Sequence, residues 1–225
     1  MTTPYLPLLA LAAALAMPAQ AAAKSGDINA KLLVTLVAPD GKITNVKHDA
    51  IGLPGDTQTK GDDTVVPTVA IEYYVTDAIS IETIAGVAQR DIDATSPAAL
   101  AGARLVSNAN IVPATLTIKY HFGAEGGIRP YVGVGPSYFL FIDEKVGTGA
   151  AALGATRVKI DDKVGAALQA GIDVPVGDNG LSVTLDAKRY FMRPTAHFFA
   201  GSTEVLTTRH KLDPWIVSAG IGFRF

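Results

Sequence analysis

Four histidines, no cysteine and a modest set of charged residues limit the chemistry open to this chain of 225 residues. His48, His197 and His210 are expected in or near loops, and His121 at the end of a strand. No HxxxH or HxH spacing brings two imidazoles together, so no metal site is expected. The lack of Cys removes disulfides, thiol catalysis and thiolate metal sites. No G-x-S-x-G stands between a strand and a helix, so a nucleophile elbow is missing. Gly133-Val134-Gly135 lacks the third Gly of a dinucleotide fingerprint, and inside a barrel strand it eases a bend or leaves room in a narrow lumen. Neither an enzyme nor a cofactor is expected. A net charge of -2 offers no basic field for nucleic acid.

The charged residues are informative through their parity. Lys31, Glu72, Glu82, Lys119, Asp173, Asp186, Lys188 and Arg224 each interrupt the polar face of an alternating segment whose other face is apolar. Four are basic and four acidic. If the segments close into a barrel, all eight point into its lumen. An eight-stranded barrel is narrow enough for side chains to fill it. Buried charges there are tolerable only if paired. Two readings stand: a structural salt-bridge network, or an ion-conducting path. Leu33, Val66, Ile84, Phe139, Phe141, Tyr190 and Ile216 share the inward parity and lie mostly toward the opposite ends of their strands. They suggest an apolar pocket above a polar floor, with simple filling of the lumen as the alternative.

The elements that hold these residues are strands. From Trp215 to Phe225 the chain alternates without a fault: Trp215, Val217, Ala219, Ile221, Phe223 and Phe225 on one face, Ile216, Ser218, Gly220, Gly222 and Arg224 on the other. Seven more candidates run near residues 28–36, 65–75, 79–87, 112–122, 131–140, 163–174 and 181–188. Each is close to the roughly 9 to 11 residues that cross a bilayer when tilted. Hydrophobic residues make up 48% of the chain and the mean hydropathy is +0.28, yet that content is dispersed in short alternating pieces. The connections alternate between long (38–64, 89–110, 143–162, 194–209) and short, the layout of an outer-membrane barrel with its turns in the periplasm. On that orientation Tyr73, Tyr120, Phe122, Phe223 and Phe225 form a periplasmic aromatic girdle, and Trp215, Tyr138 and Phe191 an outer one. A soluble lipocalin-like barrel would reverse the sidedness. Ser96 to Leu105 has Leu100, Ala103 and Arg104 at helical spacing and reads as a short loop helix or as a loop covering the mouth. At the N-terminus, Leu6 to Ala16 is apolar and Ala19-Gln20-Ala21 fits signal-peptide cleavage, although no Lys or Arg precedes the run. Residues 1–21 are therefore read as a signal peptide and 22–225 as the barrel. An N-terminal anchor is the alternative, but the run is too short to span.

Leu212-Asp213-Pro214-Trp215, Gly220-Ile221-Gly222-Phe223-Arg224-Phe225, Pro113-Ala114-Thr115-Leu116 with Tyr120-His121-Phe122, and Arg129-Pro130-Tyr131-Val132-Gly133-Val134-Gly135 carry a resemblance. Over essentially the whole mature chain the sequence resembles the OmpW family of eight-stranded outer-membrane proteins. The resemblance implies an antiparallel transmembrane β-barrel in the outer membrane of a Gram-negative bacterium. It also implies passive passage of small hydrophobic molecules through an apolar pocket open outward and to the bilayer. Gly147 to Ala155, almost all small residues, departs from the pattern. The expected partners are outer-membrane lipid, small hydrophobic solutes and, through the C-terminal strand, the barrel-assembly machinery. A structural or receptor barrel with a sealed lumen, and a small ion pore, are the competing functions. Pro67 and Pro113 are anomalies, because proline cannot donate a ladder hydrogen bond and a closed barrel has only interior strands. They either loosen the wall for lateral exit of a solute or mark where pairing ends.

Overall fold

A computed structural model describes residues 23–123, 127–177 and 179–225. The expected signal peptide lies outside the described residues. Eight strands make the wall: β1 (Ile28–Ala38), β4 (Thr64–Tyr74), β5 (Ile79–Ala85), β7 (Arg104–His121), β8 (Arg129–Ile142), β11 (Lys163–Pro175), β12 (Leu181–Phe191) and β15 (Trp215–Arg224). Each pairs antiparallel with two neighbours, and β1 pairs with β15, so the sheet closes on itself. Ile28 and Phe225 exchange backbone hydrogen bonds of 2.9 Å each way and tie the first strand to the last.

Closure gives every strand an inside and an outside. The outward residues Leu116, Leu168, Leu185, Val34 and Leu32 are exposed, whereas their chain neighbours Thr117, Gln169, Asp186, Thr35 and Lys31 are buried. An exposed band this apolar is covered by hydrocarbon, not water. Aromatics mark both edges of the band. Tyr120 meets Phe122 edge-on at 4.8 Å, and Phe223 stacks on Phe225 at 6.2 Å, at the short-turn end. Tyr138, Phe191 and Trp215 are exposed toward the other end.

Above the far edge stands a crown built from the connections expected as long loops. β2 (Lys42–Asp49), β10 (Arg157–Ile160), β13 (Thr195–Ala200) and β14 (Thr203–Lys211) form a four-stranded sheet in the order β10-β13-β14-β2. β3 (Gln58–Gly61) and β6 (Ala88–Ser96) continue the barrel sheet, β9 (Lys145–Val146) pairs with β7, and a five-residue helix, α1 (Thr148–Ala152), sits among them. The 18 residues of β7 reach from the short-turn end into the crown, well beyond the expected start near Val112. Of the two readings of Ser96 to Leu105, the helix is not formed. Residues 97–102 are a turn between β6 and β7, with Leu100 N–H donating to Pro97 and Gly102 at φ +80. The seven-residue connection, 97–103, is used up in reversing the chain, and Arg104 and Leu105 go to the ladder instead.

Candidate functional site

The inward face is divided into two levels. At the lower one, Glu72 of β4 lies directly across the ladder from Glu82 of β5. Two carboxylates so placed repel, and cations from three other strands offset this. Lys31 Nζ is 2.8 Å from Glu72, 3.3 Å from Glu82 and 3.4 Å from Asp173. Lys119 Nζ is 2.8 Å from Glu72 and 2.9 Å from Glu82. Lys188 Nζ is 3.1 Å from Glu82 and 2.8 Å from Asp186. Other side chains, not read from the sequence as part of the layer, complete it. Gln169 donates to Glu82 at 2.9 Å and to Asp186 at 2.6 Å. Tyr131 donates to Asp186 at 2.8 Å, with Lys119 3.7 Å above its ring. Ser80 and His121 both reach Glu72 Oε1, at 2.5 and 2.8 Å. Their shared signal was inward parity. Two glycines make room: a Cβ on Gly171 would lie 2.4 Å from Tyr131, and one on Gly133 would meet Lys119 and Gln169. Gly133-Val134-Gly135 thus has a packing role.

Seven of the eight inward charges meet in this one layer. Arg224 is the exception and corrects the expectation that it pairs with Glu72, Glu82, Asp173 or Asp186. It sits at the last residue of β15, near the rim, and pairs with Asp27 at 3.5 Å. Its height along the strand, one inward step below Gly222 and opposite Asn29, puts it beneath the layer rather than in it.

One inward row higher, Leu33, Ala70 and Ile84 pack together. Hydroxyl pairs flank them: Thr35 with Thr68 at 2.6 Å and with Ser218 at 2.9 Å, and Thr115 with Ser137 at 2.6 Å. Above this opens a cavity of about 110 Å³, against roughly 10–15 Å³ for one water. Val66, Ile84, Phe139, Phe141, Tyr190 and Ile216 line it, and Leu33 lies below it. Tyr190 stands edge-on to Phe139 at 5.2 Å. The crown contributes the other half of the lining, including Ile43, Leu53, Ile92, Val106, Phe198 and Leu206. Among the described residues, no Asp, Glu, Lys or Arg lines the cavity.

The one histidine in the lining is His210. Its Nδ1 lies 3.2 Å from Thr59 Oγ1 and 3.3 Å from the Gly41 carbonyl, and its Nε2 lies 2.8 Å from Thr208 Oγ1. Thr59 already donates to Gly41, so Nδ1 carries the proton and Nε2 accepts from Thr208. This network is satisfied with the ring neutral. Burial pushes the ring below its ordinary value, while the Gly41 carbonyl pulls the other way. A group depressed on folding contributes stability fully present above its unfolded value, near 6.5, and lost as pH falls through the folded one. The thermal midpoint of the wild type is therefore expected to fall relative to His210→Gln as pH drops from about 7.5 to about 5. Parallel pH curves for the two proteins would place the titrating group elsewhere.

The wall beside the cavity has a break in its ladder. Pairing of β4 with β5 ends at Val69 and Ala85. It resumes only where Asp62 N–H donates to Asp91 at 3.3 Å and β3 takes over against β6 from Gly61 and Ile92. Between these points residues 63–68 and 86–90 face each other with no ladder pair. Pro67 lies in the first segment, exposed on the outer surface and paired only with Val34 of β1. On the other side, β7 leaves β5 at Thr115 and joins β6 at Ile111, and Pro113 falls in that interval, lining the cavity and opposite Phe139 of β8. Gly86 sits between them, where a Cβ would be 2.6 Å from Thr68 Cγ2.

Comparison with known proteins agrees with this architecture. The chain is 32% identical over 185 residues to an uncharacterised outer-membrane protein of Sinorhizobium fredii, covering 82% of this chain and 76% of that one. It is 29% identical over 221 residues to outer membrane protein W of Vibrio cholerae, covering 96% and 97%. The fold is shared with the crystal structure of OprG from Pseudomonas aeruginosa, at a TM-score of 0.75 and 23% identity over 90% of this chain and 97% of that one. It is shared as well with the solid-state NMR structure of AlkL in lipid bilayers, at 0.65 and 24% over 92% and 94%. Residues 24–225 match the family model described as OmpW family, and the chain is a member of that family, an eight-stranded barrel of the bacterial outer membrane.

Proposed function

We propose that this barrel is a passive, non-enzymatic channel for small hydrophobic molecules, which enter the cavity from outside and leave sideways into the bilayer. The observation that carries the reading is the pairing of an uncharged apolar cavity with a closed, charged layer beneath it. An apolar solute gains by leaving water for such a cavity. It gains nothing by crossing a floor where three ammonium groups and four carboxylates are already paired. Sideways release needs a weak place in the wall, and the unpaired stretch flanked by Pro67 and Pro113 is one. The same filled floor argues against an ion pore, since a permeating ion would have to displace buried partners.

The test is uptake of a hydrophobic solute into vesicles by wild type and by Pro67→Thr/Pro113→Thr. Threonine restores the missing N–H donors and favours a strand. The double variant is expected to insert normally and to lose uptake selectively. Unchanged uptake would remove the prolines from the mechanism and leave them as marks of where pairing ends.

A further inference from the structure

A cavity described only as apolar would take any hydrocarbon, but its lining carries a small and specific polar complement. Tyr190 is bonded to Thr115 at 3.2 Å, Thr35 to Thr68, Thr59 to Gly41, and Thr208 to His210. Thr57 differs. Its residue is 4% exposed, it lines the cavity, and among the described residues its Oγ1 has no hydrogen-bond partner. Its backbone N–H is already committed to the Pro54 carbonyl at 3.0 Å. The other buried side-chain atoms without a hydrogen-bond partner, such as Asn29 Oδ1 and Arg129 Nη1, belong to residues outside the cavity lining. A buried hydroxyl without a partner is disfavoured. Oγ1 itself is buried in the orientation shown; a χ1 rotation turns it into the cavity, where a solute that supplies one oxygen satisfies it.

We infer that Thr57 is a hydrogen-bonding anchor that selects neutral, mainly apolar solutes bearing a single polar group, such as ketones, esters or alcohols. The inference rests on the channel reading above and narrows it. A pure hydrocarbon leaves the hydroxyl unsatisfied. A carboxylate or ammonium brings a charge into a lining where, among the described residues, no Asp, Glu, Lys or Arg meets it, and is excluded by desolvation. Thr57 directly precedes β3 in the crown, whereas Phe139, Ile84 and Ile216 line the barrel end. The anchored solute therefore holds its polar end outward and its tail toward the barrel.

The experiment measures binding of octane, carbonyl-13C 2-octanone and octanoate to the full barrel in lipid nanodiscs, against empty discs. Wild type is expected to bind 2-octanone more tightly than octane, to show a hydrogen-bonded carbonyl shift, and to reject octanoate. Thr57→Val is expected to weaken 2-octanone by roughly 2- to 13-fold, the worth of one net hydrogen bond. It should abolish the carbonyl shift and leave octane unchanged, and Thr57→Ser should restore both. Equal binding of octane and 2-octanone with a silent Thr57→Val would overturn the anchor and leave the channel standing. Octanoate bound as tightly as 2-octanone would overturn the exclusion of charge. If neither neutral probe bound beyond the empty disc, the channel reading would fall, and the anchor with it.

Discussion

Lys119→Met is expected to cost roughly 3–5 kcal/mol of barrel stability, the cost of leaving buried charges without their partner. Glu72 and Glu82 face each other across one ladder pair, and both are buried. Lys119 Nζ reaches both within 2.9 Å, and among the described residues only Lys31 also pairs with both, at 2.8 and 3.3 Å. Removing Lys119 takes the layer from three ammonium groups against four carboxylates to two against four. A second substitution, Lys119→Met with Glu72→Gln, returns it to two against three and the original imbalance of one. That pair is expected to recover most of the loss. The single Trp, Trp215, is exposed in the outer aromatic edge and reports insertion by fluorescence. Urea unfolding in vesicles would measure the series. If Lys119→Met lay within about 1 kcal/mol of wild type, the charged layer would be contributing no more than a surface pair does.

Part of this was legible because a closed barrel makes parity a coordinate. Once Leu116 is outward, Thr117 and Lys119 are inward, and the same count on β4, β5, β11 and β12 brings Glu72, Glu82, Asp173, Asp186 and Lys188 to one lumen. What parity does not give is height. The stagger of strands around the barrel decides whether two inward residues share a layer, and one sequence does not fix it. That is why Arg224 was grouped with charges that lie above it, and why Gln169 and Tyr131 went unremarked beside them. The crown was hidden for a different reason. β2 is exposed along most of its length and so shows no apolar face, while β14 is buried at Leu206, Thr207 and Thr208 in succession, around a bulge. Alternation fails in both, so the segments read as loops. Half of the cavity, including Thr57 and His210, was lost with them. The prolines were visible as anomalies on their own, but the unpaired stretch they flank depends on β3 taking over from β4, which no local pattern announces.

Gly86→Val is expected to cut transfer of a hydrophobic solute into the vesicle bilayer by about 5- to 150-fold. Gly86 lines the cavity where the unpaired stretch begins, between Thr68 and the interval that holds Pro113. A Cβ there lies 2.6 Å from Thr68 Cγ2, so a side chain must push Thr68 aside or fill the gap. Thr68 does not move freely, because its hydroxyl is held by Thr35 at 2.6 Å. Overfilling a packed site costs roughly 1–3 kcal/mol. If the solute must pass this constriction, the same amount added to its barrier gives the stated range, at 1.36 kcal/mol per tenfold in rate. Thr68→Ala removes the opposing methyl and should leave transfer at or above the wild-type rate. Binding of the solute in the cavity should survive Gly86→Val, because the aromatic and crown lining is untouched. Retained binding with lost transfer would locate the exit at Gly86. Transfer near the wild-type rate, with insertion confirmed by Trp215 emission, would mean that the solute leaves by another route.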